Sequence, residues 1–101
     1  MTNHIDQQGD ESIGVSAGLK RFGINARRLR KLAGMSQDEL ARRASLHRTY
    51  ISDIERGQRN LSLISIITLA RALEVSIGEL CEGVGEQASM QQASEGTAAV
   101  D

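Results

Sequence analysis

The sequence predicts an all-α fold, a compact five-helix domain with a flexible tail at each end. Three observations predict it. Between about residues 17 and 83 there is no proline and no strand-like alternation. Apolar residues in that stretch recur at helical spacing. A serine followed three residues later by a glutamate, the signature of a capping box, occurs at Ser36–Glu39 and again at Ser76–Glu79.

Each helix has its own signals. The first spans about residues 18–33, with Leu19, Phe22, Ala26, Leu29 and Leu32 on one face, and Gly34 supplies a left-handed stop. Ser36 is expected to take the amide of Glu39, and Glu39 the amide of Ser36. The second helix then runs to about Ala44, turning Leu40, Ala41 and Ala44 inward. Ser45 and Leu46 make the turn into a third helix over about 47–55, where Tyr50, Ile51 and Ile54 are available for packing and Gly57 ends the element. Ser62 caps a fourth helix carrying Leu63, Ile66, Ile67, Leu69, Ala70 and Leu73. The second capping box starts a short fifth helix through Leu80 and Cys81.

The flanks differ in composition. Residues 1–16 are polar, glycine-containing and slightly acidic, and read as a disordered tail before the domain at 17–83. Residues 84–101 are rich in Gln, Ala, Ser and Gly and read as a flexible tail, with a loose helix over Glu86 to Ala93 as the alternative.

The 101 residues suit one small domain. The formal net charge of −1 conceals an asymmetry. All twelve Lys and Arg fall between Lys20 and Arg71, while only seven acids lie from Leu19 to Glu82, so twelve minus seven leaves +5 on that segment. The flanks hold the other six acids and no cation. A basic core between acidic ends fits a polyanion partner.

Several function classes are excluded. Cys81 is the only cysteine, so there is neither an intramolecular disulfide nor a paired-cysteine metal site, which suits a reducing cytoplasm. No second His or Cys stands at ligand spacing from His47, so no metal is expected. No apolar run approaches the roughly 20 residues that cross a bilayer, and residues 1–12 lack the basic start and apolar stretch of a secretory signal. No paired carboxylates, nucleophile–base pair or phosphate-binding glycine loop is visible, so neither an enzyme nor a cofactor is expected.

The stretch Ser36–Asn60 carries the function. The third helix opens on His47, Arg48, Thr49 and Tyr50, long polar side chains beside the apolar Ile51 and Ile54. Arg48 can fork two hydrogen bonds to guanine O6 and N7, and Thr49 offers a methyl to thymine. Tyr50 offers a ring and a phenol to a base or a phosphate, or its ring covers the edge of the core. Ser52 offers a hydroxyl to such a partner or to the backbone. His47 at the helix start, and Arg56, Arg59 and Asn60 in the following loop, are phosphate-contact candidates, with Arg42 and Arg43 next. Ser36, Gln37 and the start of the second helix together make an anion site.

This stretch, with its flanks, resembles the Cro/repressor-like helix-turn-helix regulators, the XRE family. The matching residues are Leu29-Arg30, Gly34-Met35-Ser36-Gln37, Glu39-Leu40-Ala41, Tyr50-Ile51-Ser52, Ile54-Glu55-Arg56-Gly57, Leu69-Ala70, Ala72-Leu73 and Val75-Ser76, and the likeness covers about residues 20–82. Arg48-Thr49-Tyr50-Ile51-Ser52 with Arg59-Asn60-Leu61 looks most like the controller proteins of restriction–modification systems, to which this chain adds tails at both ends. Ser45 departs from the family's usual glycine at the turn and is expected to cost about 1 kcal/mol in a left-handed conformation.

The resemblance implies a sequence-specific regulator of transcription, with the third helix in the major groove of double-stranded DNA. It implies that Gln37 holds a phosphate and braces the third helix, and that Arg30 and Glu55 pair across the first and third helices as a partly buried salt bridge. A small core and surplus apolar residues at Ile64, Ile67, Val75, Ile77 and Leu80 point to a homodimer on a palindromic operator, the other reading being a fourth helix buried on all sides. The alternative function is an antitoxin-like module whose tails or helical face dock a protein.

Overall fold

In the computed structural model, residues 2–85 are described, with side chains from residue 14 onward. Five helices follow one another: α1 (Thr2–Leu32), α2 (Gln37–Ala44), α3 (Arg48–Glu55), α4 (Leu63–Leu73) and α5 (Ile77–Leu80). No strand occurs among the described residues. The core takes Phe22, Ala26 and Leu29 from α1, Met35 from the loop after it, and Leu40, Ala41 and Ala44 from α2. Ile51 and Ile54 of α3, Leu69, Ala70 and Leu73 of α4 and Leu80 of α5 complete it.

The helix ends obey local chemistry. Ser36, Ser62 and Ser76 each sit in extended backbone and accept an amide three residues on, which satisfies one of the unpaired donors of a helix start. Only Ser76 completes the reciprocal box, through the Glu79 carboxylate. At Ser36 the expected second half does not form, because the Glu39 carboxylate turns to Arg42 and Arg43 instead. Ser45 adopts the left-handed conformation, φ 56° and ψ 42°, and Glu74 does the same after α4. In both places the next residue's amide bonds back across the last turn, Leu46 to Ala41 and Val75 to Ala70, which recovers carbonyls that would otherwise be unpaired.

α1 is bounded at Thr2 and Leu32, where the sequence places a tail over residues 1–16 and the helix start near 18. Residues 86–101, including the alternative helix over Glu86 to Ala93, lie outside the described residues. Three expectations are corrected by burial. Leu32 is 74% exposed. Steps of three residues drift backwards around a helix turning about 100° per residue, so Leu32 ends about 100° away from the mean of Leu19, Phe22, Ala26 and Leu29. α4 buries Leu69, Ala70 and Leu73 but leaves Leu63, Ile64 and Ile67 exposed, so it is not buried on all sides. Leu80 is 0% exposed and belongs to the core, because α5 turns it inward against α1 and α4; it is unavailable to a subunit contact.

Two residues unremarked in the sequence fix α1 to its neighbours. The buried Asn25 donates to the carbonyls of Leu80 and Glu82, both at 2.8 Å, and so ties the end of α5 to α1. Gly23 lets α1 press on the end of α3: a Cβ there would sit 2.4 Å from the Ile54 carbonyl oxygen and 2.6 Å from that of Glu55. Those oxygens belong to backbone and cannot swing aside. Gly23→Ala is therefore expected to lower stability by about 1–3 kcal/mol through overpacking, read as a lower urea midpoint. Gly14→Ala, with nothing within 4 Å of the new methyl, should leave the midpoint unchanged or raise it.

Candidate nucleic-acid interface

α2 and α3 are packed together across the Ser45–His47 turn, and the buried faces of both point to the same core. The opposite faces are polar. His47 is the N-cap residue of α3 in extended backbone, and its side chain makes no cap bond, which leaves the imidazole exposed at the helix start. Arg48 and Thr49 are exposed in the first turn, while Ile51 and Ile54 are sealed beneath them. Sequence spacing alone dictates this split, because residues 51 and 54 share the inner face and 48, 49 and 52 fall elsewhere around the helix.

α3 is held from behind by a buried ionic cluster. The Arg30 Nε lies 2.6 Å from Glu55 Oε2 and its Nη2 lies 3.1 Å from Oε1, a two-point contact between side chains only 9% and 4% exposed. Arg30 Nη1 also donates to the Met35 carbonyl at 2.8 Å, and Gln37 Nε2 donates to Glu55 Oε1 at 3.0 Å. The carboxylate thus accepts three hydrogen bonds, from α1 and from the first residue of α2. Arg30 is thus paired with Glu55 across α1 and α3, and Gln37 reaches the same carboxylate. With Gln37 turned to Glu55, Ser36 is occupied as a cap, and the exposed start of α2 is what remains for an anion.

The five arginines between Ser36 and Asn60 each stand within 4 Å of a carboxylate. Arg43 donates to Glu39 at 2.8 Å and Arg42 pairs with the same group. The Arg43 hydrogen bond, with Arg42 beside it, holds the Glu39 carboxyl below its ordinary pKa. Asp53 takes Arg56 at 2.5 Å and Arg59 at 3.2 Å, and Arg56 also donates to Ser52 Oγ at 2.8 Å. Asp38 of α2 lies 3.2 Å from Arg48 Nε. Asn60 is exposed in the loop beyond.

Tyr50 is half-buried against the core, its hydroxyl 3.1 Å from Ser65 Oγ of α4 and its ring 5.0 Å beneath the Arg59 guanidinium. The structure therefore brings His47, Thr49, Tyr50, Arg59 and Ser65 around one hollow, with Arg48 exposed beside Asp38 and Tyr50 also serving as a strut to α4. Sequence reasoning missed Asp38, Asp53 and Ser65. Asp53 had a signal, since it stands three residues before Arg56 on one helix face. Asp38 and Ser65 had none, because their partners lie on other helices.

Of the apolar surplus, Ile64, Ile67 and Ile77 are exposed along with Leu63, and Val75 is half-buried against the core.

Comparison with known proteins bears on this surface. A family model described as helix-turn-helix matches residues 27–80. The chain is 48% identical over 62 residues to the control protein C.BamHI of Bacillus amyloliquefaciens, covering 60% of this chain and 76% of that protein. It superposes on the restriction–modification controller protein C.AhdI from Aeromonas hydrophila with TM-score 0.62 and 47% identity, over 63% of this chain and 97% of that one. A second structure, the controller C.Esp1396I as a tetramer in complex with its natural 35-base-pair operator, matches with TM-score 0.57 and 37% identity, over 62% of this chain and 93% of that one.

The buried cluster has a direct test. Glu55→Ala should cost about 3–5 kcal/mol, because it strands the Arg30 charge in the interior. Replacing both partners, as Arg30→Met with Glu55→Leu, should recover most of that loss. Urea denaturation of the single and double variants reads both.

Proposed function

This chain belongs to the XRE-type helix-turn-helix family of transcription regulators, and from that premise we propose that it is a sequence-specific DNA-binding regulator of the restriction–modification controller type. The family is one of regulators, not enzymes. The observation that carries the reading is the asymmetry of α3: Ile51 and Ile54 are buried, Glu55 is clamped from behind, and Arg48 and Thr49 stand exposed in the first turn.

In this reading α3 lies in the major groove. Arg48 forks onto a guanine edge and Thr49 meets a thymine methyl. Tyr50 and Ser52 complete the base-facing set, Tyr50 with its ring held in place by Ser65 and Arg59. The amide start of α2, held in place by the Ser36 cap and by Gln37, and the side chains of His47, Arg43, Arg56, Arg59 and Asn60, meet phosphates, which fix register but carry no sequence information.

The chain acts as a homodimer in this reading. Leu63, Ile64, Ile67 and Ile77 supply exposed apolar area that one small core leaves uncovered, with Val75 at its margin. Two copies of α3 then address half-sites about one helical turn, roughly 34 Å, apart. The solved tetramer of C.Esp1396I on its operator supports association of this kind on DNA. No described helix is long and apolar enough to cross a membrane, which agrees with work on DNA in the cytoplasm.

Selection of bound duplexes from a random pool should return a two-fold symmetric site. Arg48→Ala should weaken binding to it by about 1–3 kcal/mol and relax the preference at one position per half-site. If Arg48→Ala leaves affinity for both selected and random DNA unchanged, the readout reading fails. Separately, Ile64→Asp should shift the protein from dimer to monomer in sedimentation while its helical circular dichroism stays intact, since Ile64 touches no core in the monomer.

A further inference from the structure

The reading surface is less positive than its arginines suggest. From Ser36 to Asn60 there are five arginines and four acids, so five minus four leaves +1. The acids are not equivalent. Glu55 is buried with Arg30, and Glu39 and Asp53 each serve two arginines. Asp38 alone stands one to one against an arginine of the base-facing set.

We propose that Asp38 is a specificity-determining residue, which aims Arg48 at the base edge and holds this surface off DNA of the wrong sequence. The proposal rests on the reading of Arg48 as a base contact.

Asp38 lies in the first turn of α2 and Arg48 in the first turn of α3, so the pair spans the two helices. The carboxylate stands beside Nε, an ion pair at 3.2 Å. Its place on that side of the guanidinium leaves the two Nη atoms to donate together to guanine O6 and N7. The attraction biases a side chain with many rotamers before DNA arrives, which lowers the entropy lost on binding.

The same carboxylate discriminates. Its side chain is 73% exposed and that of Arg48 63%. An exposed pair is weak and exchanges readily, so a guanine edge competes with Asp38 for Arg48. On a duplex without that guanine the exchange brings no compensating hydrogen bonds, and the carboxylate still faces the phosphates. Asp38 therefore adds little cost at the correct site and repulsion elsewhere, which is how charged groups select against wrong partners.

The experiment compares Asp38→Asn, Arg48→Ala and the double variant by fluorescence anisotropy, on the duplex recovered by selection and on a scrambled duplex of equal length. Glu82→Gln, an exposed acid outside α2 and α3, controls for net charge. Asp38→Asn should tighten the scrambled duplex by about 1.5- to 5-fold, the range of one exposed ion pair, while the selected duplex gains less, so that the specificity ratio falls. In the Arg48→Ala background the same substitution should leave the ratio unchanged. The proposal is overturned if Asp38→Asn leaves the ratio where Glu82→Gln leaves it, or lowers it equally without Arg48. A ratio that Arg48→Ala itself fails to lower removes the readout reading, and this proposal with it. A ratio lowered by Arg48→Ala and untouched by Asp38→Asn removes this proposal alone. Both members of the pair are exposed, so circular dichroism should show all variants folded.

Discussion

The Glu55 carboxylate is the interaction on which the rest of this structure depends. It sits at the end of a helix of only eight residues, too short to be stable by itself. Three helices converge on it: Arg30 of α1 grips both oxygens, Gln37 of α2 takes one, and α3 supplies the group. Charges so little exposed are costly alone, and only their mutual satisfaction makes the arrangement tolerable. Such a cluster is a poor source of net stability compared with an apolar core of equal volume. What it provides is geometry. A misplaced α3 would leave Arg30 unpaired in the interior, so the registers of α1, α2 and α3 are fixed together. The close approach at Gly23 serves the same end, because α1 can reach the carbonyls of Ile54 and Glu55 only where there is no side chain.

A rigid back is matched by an adjustable front. Among the described residues Arg42, Arg43, Arg48, Arg56 and Arg59 all rest on carboxylates, and each of those arginines is exposed. Pairs of this kind contribute little to folding. Their value is that cations are kept in place yet can be released. When phosphates or base edges take them over, one set of charge-assisted contacts replaces another, and the surface does not have to order itself from a disordered state.

What could be read from the sequence follows the range of each interaction. Helix starts were legible because a serine and the amide it caps lie three residues apart, and Ser62 and Ser76 behave as their neighbours dictate. The turn at Ser45 was legible for the same reason. The Arg30–Glu55 pair was reached through family resemblance, since nothing local links residues 25 positions apart. Leu32 is a phase error, since three-residue steps carry it off the apolar face, whereas Leu80 is placed by where the chain turns after α4, which a periodicity count does not contain. The half-formed box at Ser36 failed by competition, since Arg42 and Arg43 lie within reach of Glu39 on its own helix. Asp38 beside Arg48 and Ser65 beside Tyr50 were invisible, because each contact exists only once two helices have been packed.

One turn of α4 joins the two halves of the proposed function. Ile64 and Ile67 point outward to the proposed partner copy, and Ser65, between them in sequence, points inward to the Tyr50 hydroxyl. The same helix anchors the core through Leu69, Ala70 and Leu73. A second subunit seated on Ile64 and Ile67 therefore restrains the turn that carries Ser65, and through it the ring that Arg59 covers. Motion of α4 relative to α3 would stretch the Tyr50–Ser65 contact and shift the polar surface around it. In the proposed dimer, association and readout are therefore joined through one turn of α4.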